Sequence, residues 1–312
     1  MDIHQLVRIA RFYYELGYNQ QRIADLEGVS RAKISRLLDK ALKEGIVQIK
    51  IAYPVESVME LEQALCEKFG LKKAFVAPVI VDEENALKRD VGKAVAQYLG
   101  EVVQGGYTVG VSWGTTLPYV TQQLKEKHLD EVKVVQLNGG LTSTYISTGS
   151  ITIVEDCAKA FNGKPYLMAV PTIVDTVKVA EALISDTRIE AALDLVRQAE
   201  VGVVGIGFAS KDSVLAKAGY FTEQQYQQLV DKGAVGDICS RYFDINGSIV
   251  DDQLDNRTIG IALSDLAEKE HSIGVAVGEH KAPAIIGALR GGYINCLFTD
   301  ENAARKILAV AD

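Results

Sequence analysis

The sequence predicts an α/β protein in two parts, a winged helix-turn-helix over residues 1–54 and a larger, mostly parallel α/β domain over residues 55–312. Three observations carry this division. Near the start, two short helical patterns are joined by Gly28-Val29-Ser30. From Lys73 onward, apolar strands alternate with amphipathic helices, the pattern of a parallel sheet covered on both faces. Charge also divides: residues 1–50 hold nine Lys/Arg against six Asp/Glu (+3), and the other 262 hold 24 against 35 (−11). A basic end on an acidic chain of net charge −8 is a hint of nucleic-acid contact at that end.

The first fifty residues justify the helix-turn-helix position by position. Ile3, Leu6, Val7, Ala10, Tyr13 and Tyr14 recur as one apolar face, and Gly17 is a natural stop. Asn19 caps a helix over Gln20–Glu27 that ends at Gly28, and Ser30 caps a third helix running through Lys43 to Gly45. Ala24 falls where the two helices cross closely, Gly28 where the turn demands a positive φ, and Val29, Ile34 and Leu37 pin the helices together. Arg31, Ala32, Lys33, Ser35 and Arg36 then point outward while Ile34, Leu37 and Leu38 face in. Between Val29 and Lys43 stand five basic residues and one acidic. Arg31, Lys33 and Ser35 suit base edges in a major groove, and Arg36 and Lys40 suit backbone phosphates. Gln20, opening the first helix of the pair, completes the DNA-facing set. The alternative is a solvated face on a small helical bundle. Ile46–Ile51 alternates apolar and polar residues and predicts a wing-like strand, closed by Pro54.

Glu56–Phe69 is amphipathic, with Val58, Leu61, Leu65 and Phe69 on one stripe; a connector, a dimerisation helix and the first packed helix of the next domain all fit it. Strands are then predicted over Ala74–Val81, Thr108–Trp113, Val132–Leu137, Tyr166–Val170, Val201–Ile206, Ser272–Val277 and Ile294–Thr299. Helices fall over Glu84–Val103, Thr115–Lys125 and Ser150–Phe161. Asp237–Phe243 and Ser248–Val250 flank Asp244-Ile245-Asn246-Gly247, whose Asn-Gly suits a hairpin set among the parallel units.

Ligands of open α/β sheets bind at the carboxyl ends of strands, which directs attention to three loops. Ser112-Trp113-Gly114-Thr115-Thr116 follows a strand and opens a helix, so Gly114 permits close approach while Thr115, Thr116 and the free N–H groups favour an anion such as phosphate. Asn138-Gly139-Gly140 ends a second strand with a polar group and a permissive backbone. Gly278-Glu279-His280-Lys281 ends a third with a cation. Singly, glycines after strands are ordinary turn chemistry; together the loops offer phosphate donors and a lysine.

Other classes are disfavoured. Cys66, Cys157, Cys239 and Cys296 lack CxxC pairing and read as buried, reduced thiols of a cytoplasmic protein. The four histidines are unclustered, so no metal site is expected, nor any cofactor. Met1–Ala10 carries charges and no apolar run, so no signal peptide is expected, and no stretch is long enough to span a membrane.

With these residues in view the chain resembles the SorC family of bacterial sugar-responsive regulators, which includes the deoxyribonucleoside and sorbose regulators. The resemblance covers nearly the whole chain. Its marks are Arg11-Phe12-Tyr13-Tyr14, Ser30 to Leu38 (SRAKISRLL) and Gly45-Ile46-Val47-Gln48-Ile49. Val111-Ser112-Trp113-Gly114-Thr115-Thr116, Gly236-Asp237-Ile238-Cys239-Ser240-Arg241 and Ile286-Gly287-Ala288-Leu289 continue them. The resemblance implies a sensor domain similar to the glucosamine-6-phosphate deaminase and ribose-5-phosphate isomerase fold, a homotetramer, and affinity for double-stranded operator DNA that a phosphorylated sugar changes. It assigns Gly114, Thr115 and Thr116 to the phosphate, Asp237 to sugar hydroxyls, and Lys281 to the ligand as well. The deoxyribonucleoside regulators carry a lysine where Asn138 stands here, and an amide cannot form a Schiff base with an open-chain sugar. The rival reading is an enzyme, with Asp237 and Lys281 as acid and base, but an isomerase has no use for a DNA-binding head.

Overall fold

The computed structural model describes residues 3–48, 56–141 and 149–310, and the chain divides into units Met1–Pro54 and Val55–Asp312.

In the first unit, α1 (Ile3–Ala10) runs into a π-helical turn over Arg11–Glu15, followed by α2 (Gln20–Glu27) and α3 (Arg31–Lys43). Local chemistry sets the boundaries. The Asn19 side chain accepts from Arg22 N at 2.9 Å, and Ser30 Oγ accepts from Lys33 N at 3.3 Å, each satisfying a donor that the helix start leaves unpaired. Gly28, at φ 63°, ends α2 in the left-handed conformation that lets α3 set off across it. Leu6, Ile9, Ile23, Ala24, Ile34, Leu37 and Leu38 form the core of this unit.

Two expectations change here. The face of α1 that is buried is Leu6, Ile9 and Ala10, whereas Ile3, Val7, Tyr13 and Tyr14 are exposed. The π turn widens the spacing at 11–15 and carries the two tyrosines off the buried stripe. The wing-like strand over Ile46–Ile51 does not form across its described part, Ile46–Gln48. Val47 N instead donates to Ala41 O at 3.1 Å, closing the end of α3, and Ile46 packs on the core. Ile49–Ile51 lie outside the described residues.

The second unit opens with α4 (Glu56–Phe69), β1 (Lys73–Ala77), α5 (Glu84–Val102), β2 (Thr108–Val111), α6 (Leu117–Thr121) and β3 (Lys133–Gln136). Then come α7 (Ser150–Ala160), β4 (Lys164–Tyr166), α8 (Val177–Ile184), α9 (Thr187–Gln198), β5 (Val201–Phe208), α10 (Val214–Lys217) and α11 (Glu223–Asp231). The chain continues with β6 (Gly236–Ile238), β7 (Arg241–Phe243), α12 (Asp252–Asp255), α13 (Leu263–Ala267) and β8 (His271–Val275). It closes with α14 (Ala282–Arg290), β9 (Cys296–Asp300) and α15 (Glu301–Val310). Seven parallel strands lie in the order β1-β9-β8-β5-β2-β3-β4, and the antiparallel pair β6–β7 extends from the end of β5. Consecutive residues serve opposite faces: Val203 and Val134 pack with α5, α6 and α7, while Val204 and Val135 pack on the other side with α4, α9 and α14. Burial on both sides is why these strands read as unbroken apolar runs. Helix α4 belongs to this unit, with Val58 and Leu65 buried in the same core, so it is the first packed helix of the domain.

Where expected and observed elements differ, backbone demand explains it. The predicted long helix Thr115–Lys125 is only α6, because Pro118 sits in its first turn and the residues before Leu117 stay in the loop. The strand expected over Tyr166–Val170 is β4, four residues earlier at its end: Lys164 pairs with Lys133, and beyond Tyr166 the chain leaves the sheet. The hairpin expected around Asn246-Gly247 is displaced. Asp237–Phe243 is itself a hairpin, turning at Cys239 (φ 53°) and Ser240 (φ 68°), two non-glycine residues at the positive φ that a two-residue turn requires. Asp244–Gly247 does turn tightly, but Ser248–Val250 reduces to one bridge, Phe243 to Ile249. Among the described residues no helix is long and apolar enough to cross a membrane.

Candidate functional site

Following the chain, β2, β3 and β4 step outward in one direction, and β5 then returns to the other side of β2. Loops leaving two such strands diverge to opposite faces, so a crevice opens at their carboxyl ends. A cavity of about 400 Å³ lies there. Its walls come from the loop after β2 (Trp113–Thr116), from Asn138, from the end of β5 (Gly205–Phe208), from Asp212–Leu215 with Lys217, from the β6–β7 turn, and from His280 and Lys281 after β8. Glu84 and Lys88 of α5 complete it.

Six of the eight predicted ligand residues meet here: Gly114, Thr115, Thr116, Asn138, Asp237 and Lys281. Gly139 and Gly140 do not line the cavity. Their N–H groups are consumed by Ile259 O at 3.0 Å and Val170 O at 2.8 Å, so neither is available to a ligand. Gly139 is structural: a Cβ would lie 2.5 Å from Pro171 O, and its own carbonyl accepts from Trp113 Nε1 at 2.8 Å, fixing the loop after β2.

The polar groups are set by their supports. Asp237 packs against β5 at Gly207, where a Cβ would stand 2.0 Å from its Oδ1; only glycine leaves room for this carboxylate. Ser240 N donates to Asp237 Oδ2 at 3.2 Å, a contact made possible by the positive-φ turn. Burial raises the Asp237 carboxyl to about 6, against the pull of Lys281 and the Ser240 N–H. Lys281 Nζ donates to Ile206 O at 3.3 Å, and burial lowers its pKa, opposed by Asp237. Asn138 is 1% exposed, and its Oδ1 is a buried acceptor with no partner among the described residues. An orphaned acceptor is costly unless something donates to it. A sugar hydroxyl can. His280 stands edge-on to Phe208, its pKa lowered by burial and by Lys281.

Glu84, Lys88, Ser213, Lys217 and His280 line the cavity and were not identified from sequence. Glu84 and Lys88 read as an ordinary i,i+4 pair on a solvated helix, and nothing local reveals that α5 starts beside the loop after β2. His280 was in plain view, next to Lys281.

In the first unit, Arg31, Ala32, Lys33 and Arg36 are exposed on one side of α3, while Ser35, Lys40 and Gln20 are partly covered. The Lys40 ammonium lies 3.4 Å from Glu44. No carboxylate among the described residues pairs with Arg31, Lys33 or Arg36. Between α1 and α2, Arg8 and Gln5 donate to Glu27, which holds its carboxyl below the usual range. Among the described residues no group of three or more His, Cys, Asp or Glu is placed to hold a metal ion.

Residues 53–309 match the family described as "Putative sugar-binding domain". The chain is 37% identical to the deoxyribonucleoside regulator of Bacillus subtilis over 302 residues, covering 97% of this chain and 96% of that one. It is 33% identical to the sorbitol operon regulator of Klebsiella pneumoniae, with 98% of each chain covered. The crystal structure of that full-length regulator superposes with a TM-score of 0.81 at 32% identity over 99% of both chains. A helical head with the turn described above and a sugar-binding domain define a transcription regulator with a ligand-sensing domain. The chain belongs to the SorC family of these regulators.

Proposed function

We propose that this regulator binds operator DNA through α3 and a phosphorylated sugar through the cavity at the β2/β5 switch point, and that the sugar phosphate changes its affinity for the operator. The observation that carries the ligand class is the lining. Lys88 stands at the Thr115 hydroxyl, Lys281 faces Asp237, and Asn138 Oδ1, for which no partner is found among the described residues, is free to accept from a hydroxyl group. A cavity that offers lysines and hydroxyls together with acceptors suits a molecule that carries both an anion and a polyol. Names of the relatives, a deoxyribonucleoside regulator and a sorbitol operon regulator, support control of a carbohydrate or nucleoside operon. Asn138 supports capture by hydrogen bonding and not as an imine, because a carboxamide is not a nucleophilic amine. A cytoplasmic homotetramer is part of the same reading and rests on the family.

The test is a thermal-shift panel of phosphorylated pentoses, hexoses and ketoses beside their unphosphorylated counterparts. A true effector at a hundredfold excess over its Kd adds about 2.7 kcal/mol of stability, a shift of several degrees. Melting that no phosphorylated sugar raises above its unphosphorylated partner would overturn the phosphate assignment.

One observation favours a second reading. Asp237, with a raised pKa, and Lys281, with a lowered one, face a common cavity as an acid–base pair would. Steady turnover of ribose 5-phosphate or glucosamine 6-phosphate by the purified chain would support an enzyme and count against a pure sensor.

A further inference from the structure

We propose that Lys88 is a second anion-binding lysine of this cavity and that Glu84 is a built-in competitor, a carboxylate that a phosphate must displace from Lys88 to bind. The inference rests on reading the cavity as a phosphate site and adds to it what regulates that site's affinity.

Each of the three lysines lining the cavity has a carboxylate neighbour, and the three pairs differ in kind. Lys217 lies 3.6 Å from Asp212 with side chains 57% and 75% exposed, a rim pair that water screens. Lys281 faces Asp237, whose carboxyl accepts from Ser240 N and packs against Gly207, so this partner is less free to leave than one on the surface. Lys88 is different again. Its side chain is only 11% exposed, and its ammonium lies 3.3 Å from Thr115 Oγ1, at the loop offered to the phosphate. Its partner Glu84, at 2.6 Å, is 61% exposed and sits at the start of α5, where it can swing into water.

A covered cation with a detachable counter-ion is what an anion site needs. The lysine is held ready without the cost of an unpaired buried charge, and an incoming dianion takes over the contact. Glu84 also senses the rest of the cluster: its hydrogen bond with Lys88, then the charges of His280 and Lys281, keep its carboxyl below the usual range. The carboxylate thus occupies the same positive potential that a phosphate would. Lys88 and Thr115 would together hold the phosphate from one side and Lys281 from another, three points that fix its orientation.

The experiment is isothermal titration of the full chain with two probes, inorganic phosphate and ribose 5-phosphate. Lys88→Met should weaken both at least about tenfold, Lys88→Arg should retain most of the affinity, and Glu84→Gln should tighten both about three- to tenfold. Lys217→Ala, at the rim, should stay within about twofold. Binding by Lys88→Met equal to that of wild type overturns the role of Lys88. Glu84→Gln that binds no tighter than wild type overturns the competition, and since that substitution lies on the surface it decides the matter even if Lys88→Met fails to fold. Should wild type and Glu84→Gln melt normally yet bind neither probe, the phosphate reading of the cavity falls first and this inference with it.

Discussion

Asp237 concentrates the conflict between folding and binding. Its carboxyl is enclosed against Gly207 with one N–H donor, and burial raises it to about 6 from an ordinary 3.8. A carboxyl whose pKa is higher in the folded chain binds more protons there than in the unfolded chain between those values. Its contribution to stability is therefore fully present below pH 4 and is lost as pH rises through 6. Asp237→Asn, which does not titrate, should gain stability relative to wild type from pH 4 to pH 7 and run parallel to it above, as read from urea unfolding at a series of pH values. Lys281→Ala should remove a charge-assisted contact worth about 1.5–3 kcal/mol, roughly tenfold to a hundredfold in effector affinity. Its DNA affinity without effector should match wild type, because the lysine lies in the other unit. A DNA titration with and without the sugar phosphate identified by the thermal panel checks both halves.

At the scale of elements, α3 presents its basic face as its period dictates, and the cap at Ser30 sets where that face begins. Arg31→Ala should cost about 1–3 kcal/mol of specific binding and relax discrimination at one base pair. Arg36→Ala should weaken all sequences alike and lower the salt slope by about 1. Competition gel shifts against operator and random duplex at several salt concentrations separate the two. In the second unit, Arg241 on β7 is the support behind the cavity wall. Its guanidinium donates to Ile261 O at 2.7 Å, to Thr258 O and Gly260 O, and to Asp255 at 2.6 Å. The segment it holds pairs in turn with Leu137, Asn138 and Gly139. Arg241→Ala leaves these carbonyls and a carboxylate without their donor and should destabilise by about 3–5 kcal/mol, measured as a fall in the urea midpoint.

For the whole molecule, charge and symmetry dominate. The acidic excess of the second unit repels both DNA and an anionic ligand at long range. On the function proposed above, each would find a local patch of opposite sign, α3 for the DNA and the lysines of the cavity for the phosphate. One helix-turn-helix covers too few base pairs to select a site in a genome, so heads should act in pairs on half-sites about one helical turn, or a multiple, apart. Light scattering should return the mass of four chains; a monomer with and without DNA would refute the assembly.

By itself the sequence determined much of what depends on neighbours along the chain, though not the turn of α1 at Tyr13 and Tyr14 or the fate of Ile46–Gln48. The caps at Asn19 and Ser30, the left-handed Gly28, the basic face of α3 and the apolar runs of the parallel strands all follow from residues within a turn or two, and all stand in the structure. The loops after β2, β3 and β8 were legible for the same reason, since glycine and hydroxyl residues after a strand announce themselves. Only the tertiary structure decided which of those loops face one another. It gave Gly139 and Gly140 to the backbone of neighbouring loops, turned the hairpin at Cys239-Ser240 where no Asn or Gly advertises a turn, and set Glu84 and Lys88 of α5 beside Thr115. The physical reason is distance along the chain. A cap or a helical face is settled by contacts a few residues apart, whereas the cavity is made by strands ordered β8-β5-β2, whose side chains come from positions up to about two hundred residues apart and whose meeting no local pattern records.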